Sequence, residues 1–337
     1  MTKPHLTFFC ELETEALQAL FADPAVLQYL NDLRAHISLG VLDLSVGRAQ
    51  VVRRLNEAGI PLVAWQLLPK EQGYWFNVHN AHQAAARYVA FKAWSAENGL
   101  KWAGVGLDIE PDMRDAERLA TDRWSLLSAL LPRAFDYERM RRAQAEYSLL
   151  VAQMRADGYS VESYVFPLML DERKAGSTLL RRVSGLVEVS ADCEVPMLYS
   201  SFLRPRGAGT LWSYAPEAQA VALGSTGGGV TVGGADKVRP LDWNELSRDL
   251  RLARRWVSDI YIFSLEGCVR EGFLERIKGF DWDHAFTPPL GVAAHVNQFR
   301  RGLGTGLWLS AHALTTVSTL FALVWLLSKL HGKEKAR

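Results

Sequence analysis

Eight times between residues 6 and 266, a short apolar run with strand-like alternation is followed by a stretch with helical spacing. The runs cover 6–13, 36–44, 60–67, 102–111, 159–169, 194–200, 220–225 and 260–266. Between them lie helical patterns such as 80–97, which stops at Asn98-Gly99, and 243–257. Strands that alternate with helices build parallel sheets, and eight such units point to a (β/α)8 TIM barrel. An open doubly wound sheet requires one or two of the weaker strands to be absent. The barrel is placed at 1–286, with a helical insertion at about 112–157, broken at Pro132, after the fourth strand.

The fourth run, Trp102-Ala103-Gly104-Val105-Gly106-Leu107-Asp108-Ile109-Glu110-Pro111, carries the most chemistry. In a strand Val105, Leu107 and Ile109 face one way, and Gly104, Gly106, Asp108 and Glu110 the other. A face that begins with glycines and ends with carboxylates suits a barrel interior kept open below its mouth. Pro111 has no amide hydrogen and ends the ladder. Unpaired buried carboxylates cost several kcal/mol, so two at one strand end point to use rather than to stability. The bland alternative is that basic residues pair with both and brace the barrel top.

A formal charge of +1, from 38 basic and 37 acidic residues, gives no field to attract a polyanion, and a nucleic-acid partner is not expected. Eleven tryptophans stand out, as core residues or as flat faces on which sugar rings stack. The loop after the third strand holds Tyr74, Trp75 and Phe76, either a stacking platform or a small cluster tucked under the loop. Cys10, Cys193 and Cys268 show no metal-ligand spacing, and His79 and His82 have no evident third ligand, so neither a metal nor a cofactor is expected.

Beyond the barrel, 287–302 reads as a linker, 303–328 as one transmembrane helix and 329–337 as a basic tail. Trp308 and Trp325 stand near the ends of the span, as interfacial aromatics do. Arg300 and Arg301 precede it, while Lys329, Lys333, Lys335 and Arg337 follow, which favours a cytoplasmic tail. The N-terminus lacks the apolar core of a secretory signal. The two signals conflict, since a cytoplasmic tail would put the barrel outside the cell; on the missing signal, the expectation is a barrel held at a membrane by a single C-terminal anchor and facing the cytosol.

Barrel active sites lie at the C-terminal ends of the strands. The strand-final residues are Glu11, Glu13, Asp43, Gln66, Asp108, Glu110, Tyr164, Tyr199, Ser225 and Glu266. This acidic and hydroxylic set holds no histidine, which disfavours a Ser-His-Asp site or a histidine-bound metal and favours glycosidic cleavage by carboxyl groups. Glu110, raised by its neighbour Asp108, suits the proton donor, with Glu266 or Glu11 as its partner. Glu11, Gln66, Trp75 and Tyr164 are the expected substrate contacts.

Asp108-Ile109-Glu110 resembles the end of the Asp-x-x-Asp-x-Asp-x-Glu signature of chitinase-like glycoside hydrolases, family eighteen, within the TIM-barrel glycoside hydrolase superfamily. Met197-Leu198-Tyr199-Ser200 resembles that family's Met-x-Tyr-Asp. The resemblance implies that Glu110 protonates the glycosidic oxygen, Asp108 orients an N-acetyl group and Tyr199 helps to hold it. Ala103 and Gly106 stand where the signature has its first two aspartates, and Ser200 where the second motif ends in aspartate. Two alternatives stand beside it. One is a carbohydrate-binding or scaffold barrel that has lost its chemistry. The other is a phosphate-handling barrel that uses the glycine run 224–229 after strand seven.

Overall fold

The computed structural model of the protein describes residues 3–115, 130, 132–229 and 238–313. Its elements are β1 His5–Cys10, α1 Thr14–Ala22, α2 Pro24–Leu33, β2 His36–Val41, α3 Val46–Glu57, β3 Leu62–Gln66, α4 Ala81–Glu97, β4 Gly104–Ile109, α5 Tyr137–Ala156, β5 Ser160–Val165, α6 Leu168–Lys174, α7 Leu179–Ser184, β6 Cys193–Pro196, α8 Gly207–Tyr214, β7 Ala220–Gly224, α9 Trp243–Arg254, β8 Asp259–Phe263, α10 Leu265–Arg270, α11 Phe273–Lys278 and α12 Leu290–Ala311. The eight strands run parallel in the order β6-β5-β4-β3-β2-β1-β8-β7. A parallel bridge between Met197 and Ala222 joins the β6 and β7 ends, which makes the sheet a closed (β/α)8 barrel.

Short polar signals start the helices. Ser45 Oγ accepts from the Arg48 amide at the head of α3, and Asp242 and Glu245 form a capping box on α9. Alternation along each strand then sorts the side chains into two layers. Phe8, Cys10, Val105, Leu107 and Ile109 join the layer between sheet and helices. Phe9, Trp65, Tyr164, Val195 and Tyr261 fill the barrel interior. There Phe9 meets Tyr164 edge-on, with ring centroids 4.7 Å apart, and Tyr164 OH lies 2.6 Å from Ser38 Oγ while donating to Glu162 over 2.9 Å. A Cβ on Gly106 would stand 2.3 Å from the Tyr164 oxygen. Glycine at 106 therefore makes room for a tyrosine that plugs the barrel below its mouth.

The structure corrects the expected membrane anchor at 303–328 and the localisation that followed from it. Among the described residues no helix is long and apolar enough to cross a membrane. Residues 303–311 are the last turns of α12, which begins at Leu290 and packs on α6 and α8. Midway along it the buried Arg300 donates to Asp171 Oδ1 at 2.9 Å, Ser213 O at 2.7 Å and Glu217 Oε2 at 2.8 Å. The low charge at 303–313 belongs in part to a packed face, where Leu307 is buried and Ser310 Oγ lies 3.2 Å from Ser177 Oγ. The remainder of the expected span and the basic tail, 314–337, lie outside the described residues.

Candidate active site

The C-terminal ends of the strands open onto a cavity of about 1210 Å³. Glu11 follows β1, Asp108 is the penultimate residue of β4, Glu110 comes just after β4, and Tyr199 lies beyond β6; all four line the cavity. Glu11 and Asp108 reach the interior because they alternate with Cys10 and Ile109, which pack outward. Phe9, Trp65 and Tyr164 lie beneath, and Trp75, Phe202 and Phe263 form aromatic walls. Gly227, Gly228 and Gly229 close over one side, so tightly that a Cβ on Gly229 would lie 2.6 Å from Glu11 Oε2.

Two hydrogen bonds set the acids. Trp65 Nε1 donates to Asp108 Oδ2 at 3.1 Å, and the Tyr74 hydroxyl donates to Glu11 Oε1 at 2.5 Å. Tyr74 does so from a left-handed backbone, φ 63°, which costs a non-glycine residue about 1–2 kcal/mol. Burial, and then the charge of Glu11, push the Glu110 carboxyl up to about 8, whereas the hydrogen bond with Asp108 lowers it, opposite to the rise expected from that neighbour. Burial, and then the charges of Glu110 and Glu11, hold Asp108 well above the usual carboxylate range, while the indole hydrogen bond opposes that rise. Burial and the same three acids also raise the Tyr199 phenol. Asp108 and Glu110 titrate as one raised, hydrogen-bonded pair, and it is the pair that can hold a proton for a group in the cavity.

Six of the eight residues singled out from the sequence border this space: Glu11, Trp75, Asp108, Glu110, Tyr164 and Tyr199. Gln66 lies elsewhere. It is fully buried, its amide atoms have no hydrogen-bond partner, and Trp65 before it takes the inward position. Glu266 belongs to the first turn of α10 rather than to the end of β8, and its Oε1 accepts from the Gly229 amide at 3.1 Å. Among the other rim acids, Asp43 takes a hydrogen bond from Thr14 and pairs with the buried Arg48. Burial opposes its ionisation, yet the hydrogen bonds of Ser45 and Thr14 and the Arg48 charge hold it far below the usual range. Ser200 turns outward and donates to the buried Asp249.

The sequence does not single out Trp65, and it marks Tyr74 as part of a stacking platform or tucked cluster rather than as the donor to Glu11. Strict alternation back from Leu67 marks Trp65 as inward-facing, whereas the left-handed turn that aims Tyr74 has no comparable pattern. His295, Val296 and Phe299 of α12 also border the cavity.

Fold and site define a (β/α)8 barrel with an acidic floor and aromatic walls at the C-terminal ends of its strands. No protein-family model matches the chain. No curated protein matches it. Among solved structures it is similar to a GH18 chitinase from Pseudoalteromonas aurantia, with 10% identity, 82% of this chain and 99% of that chain covered, and a TM-score of 0.46. It is similar also to an L-ribulose 3-epimerase, with 14% identity, 94% and 98% covered, and a TM-score of 0.41. A xylose isomerase-like TIM barrel protein from Mycobacterium smegmatis gives 13% identity, 82% and 97% covered, and a TM-score of 0.40.

Proposed function

We propose that the protein is a glycoside hydrolase in which Glu110 is the proton donor. The observation that carries this reading is that Glu110, Asp108 and Glu11 line one cavity large enough for a sugar, where burial and mutual charge raise the Asp108–Glu110 pair toward its protonated form. Glu110 gives its proton to the glycosidic oxygen as the bond to the anomeric carbon breaks. Glu11, the acid that follows β1, stabilises the positive charge that grows on that carbon. Water then supplies the hydroxyl that ends on the sugar, and its remaining proton restores Glu110. Asp108, fixed by Trp65, and the Tyr199 hydroxyl orient the sugar.

The phosphate reading of the glycine run finds two of its amide donors already engaged. Gly229 N donates to the Glu266 carboxyl and Gly227 N to Ser225 Oγ, so an acid occupies one of the amides a phosphate oxygen would need. The reading as a binding barrel without chemistry draws on Gly106, whose side-chain space belongs to Tyr164 rather than to an acid.

Glu110→Gln keeps the shape of the side chain and removes the transferable proton. On a panel of chromogenic aryl glycosides the parent is expected to exceed this variant by at least about a hundredfold. Equal, background-level rates in both proteins would overturn the hydrolase reading in favour of the binding barrel.

A further inference from the structure

The cavity changes character between floor and rim. The acids are all at the floor, whereas the β5–β6 side of the rim is built of Leu168 at the start of α6, Phe202 and Leu203 after β6, and Val296 and Phe299 on α12. Leu168, Phe202, Leu203 and Phe299 are between 37% and 60% exposed. Single exposed apolar residues are ordinary, but these four line one cavity together and continue into its interior.

Of the nearby polar groups, Arg206 and His295 also line the cavity, while Arg204 and Thr210 are already engaged. Arg204 donates to both Glu245 oxygens and to the Arg239 and Pro240 carbonyls, and Thr210 Oγ1 donates to Arg206 O. Phe202 and Phe299 offer ring faces, but the two leucines and the valine between them do not, so this side favours an alkyl chain over a second sugar. An alkyl chain would bury its methylenes there.

We propose that the substrate is an amphiphilic glycoside, with its sugar on the Glu11–Asp108–Glu110 floor and its alkyl aglycone lying between Leu168, Phe202, Leu203 and Phe299 out to the rim. This assignment rests on the hydrolase reading for the role of the floor. α12 then has a function in the site, because its docking through Arg300 supplies one wall of the chain's path.

The test is a titration of the intact Glu110→Gln protein, followed by tryptophan fluorescence, with n-hexyl, n-octyl and n-decyl β-D-glucopyranosides below micelle formation. The sugar is common to the series and cancels from the slope. A fully buried methylene is worth about a fourfold gain in affinity, so a rim-exposed path is expected to give at least about tenfold from hexyl to decyl. Phe202→Ser with Phe299→Ser is expected to flatten that slope, with the melting temperature reporting on the fold; Phe299→Ser alone serves if the pair fails to fold. A slope of zero, or an equal slope in the serine variants, would overturn the assignment. Turnover of short aryl glycosides with no chain dependence would sink the amphiphile and leave the hydrolase. Chain-dependent binding without any turnover by the parent would do the reverse.

Discussion

The indole of Trp65 on β3 donates to Asp108 Oδ2 on the neighbouring β4 at 3.1 Å, and it is the neutral hydrogen bond that aims the Asp108 carboxyl. Both groups are buried, so the contact is shielded from water. Trp65→Phe keeps most of the ring and removes the donor. The Asp108 carboxyl is then expected to rise further, since the indole is what opposes its rise. The rate on the best aryl glycoside should fall by about tenfold or more, in line with the ~1 kcal/mol or more that a buried hydrogen bond is worth. A pH–rate profile separates positioning from mere packing: packing loss would lower the melting temperature and leave the profile in place.

Glu110 gives stability a pH dependence of known sign. Its folded-state carboxyl lies near 8, above the ordinary value of an unfolded glutamate, so the native state binds the proton more tightly. The contribution is complete below the ordinary carboxylate range and is lost as pH rises through about 8. The melting temperature of the parent is therefore expected to fall between about pH 5 and 9, by an amount equivalent to about 2–4 kcal/mol. Glu110→Gln should fall less steeply over that range, though Asp108 keeps part of the slope because it is raised as well. Scanning calorimetry in a pH series checks this, and parallel slopes would count against a raised Glu110.

Where a strand alternates without interruption, the site was legible in the sequence. Phe9 with Glu11 on the first strand, and Gly106 with Asp108 on the fourth, face the cavity side as their patterns imply. Legibility failed where a strand stopped earlier than its apolar run. The eighth run extends through Glu266, but β8 ends at Phe263 and Ser264 caps α10, so Glu266 turns under the glycine loop. Gln66 ends β3 with its side chain away from the cavity, because inwardness follows the alternation set by Trp65 and not the position at the strand end. The C-terminal helix departs from the expectation for a different reason. Low charge over 303–313 looks the same whether the neighbour is lipid or another helix, and only the tertiary pairing of Arg300 with Asp171 tells them apart.

Gly106→Ala tests the tyrosine plug. The new Cβ would lie 2.3 Å from Tyr164 OH and 2.7 Å from Cζ, so the ring must shift and loosen its contacts with Ser38 and Glu162. Overpacking of this kind costs about 1–3 kcal/mol. The expected drop in melting temperature is several degrees. Tyr164→Leu should relieve most of it, which a double-mutant cycle measures as a coupling between 106 and 164; additive effects would mean that the two sites do not meet.

Arg300→Met tests how α12 is held. The guanidinium stacks 3.7 Å from the Tyr214 ring centroid and serves Asp171 and Glu217 at once, in a setting where Asp171 is buried and Tyr214 also donates to it. Methionine fills much of the volume and leaves Asp171 with an uncompensated charge, a change that costs about 3–5 kcal/mol when a buried pair is broken from one side. Thermal unfolding should show a loss of roughly 6 °C or more. Adding Asp171→Asn removes the stranded charge and is expected to recover part of the loss. Because α12 carries Val296 and Phe299 to the cavity, the single variant should also weaken binding of decyl glucoside more than that of hexyl glucoside. A melting temperature within a degree of the parent's would mean that the Arg300 network does not fasten α12 to the barrel.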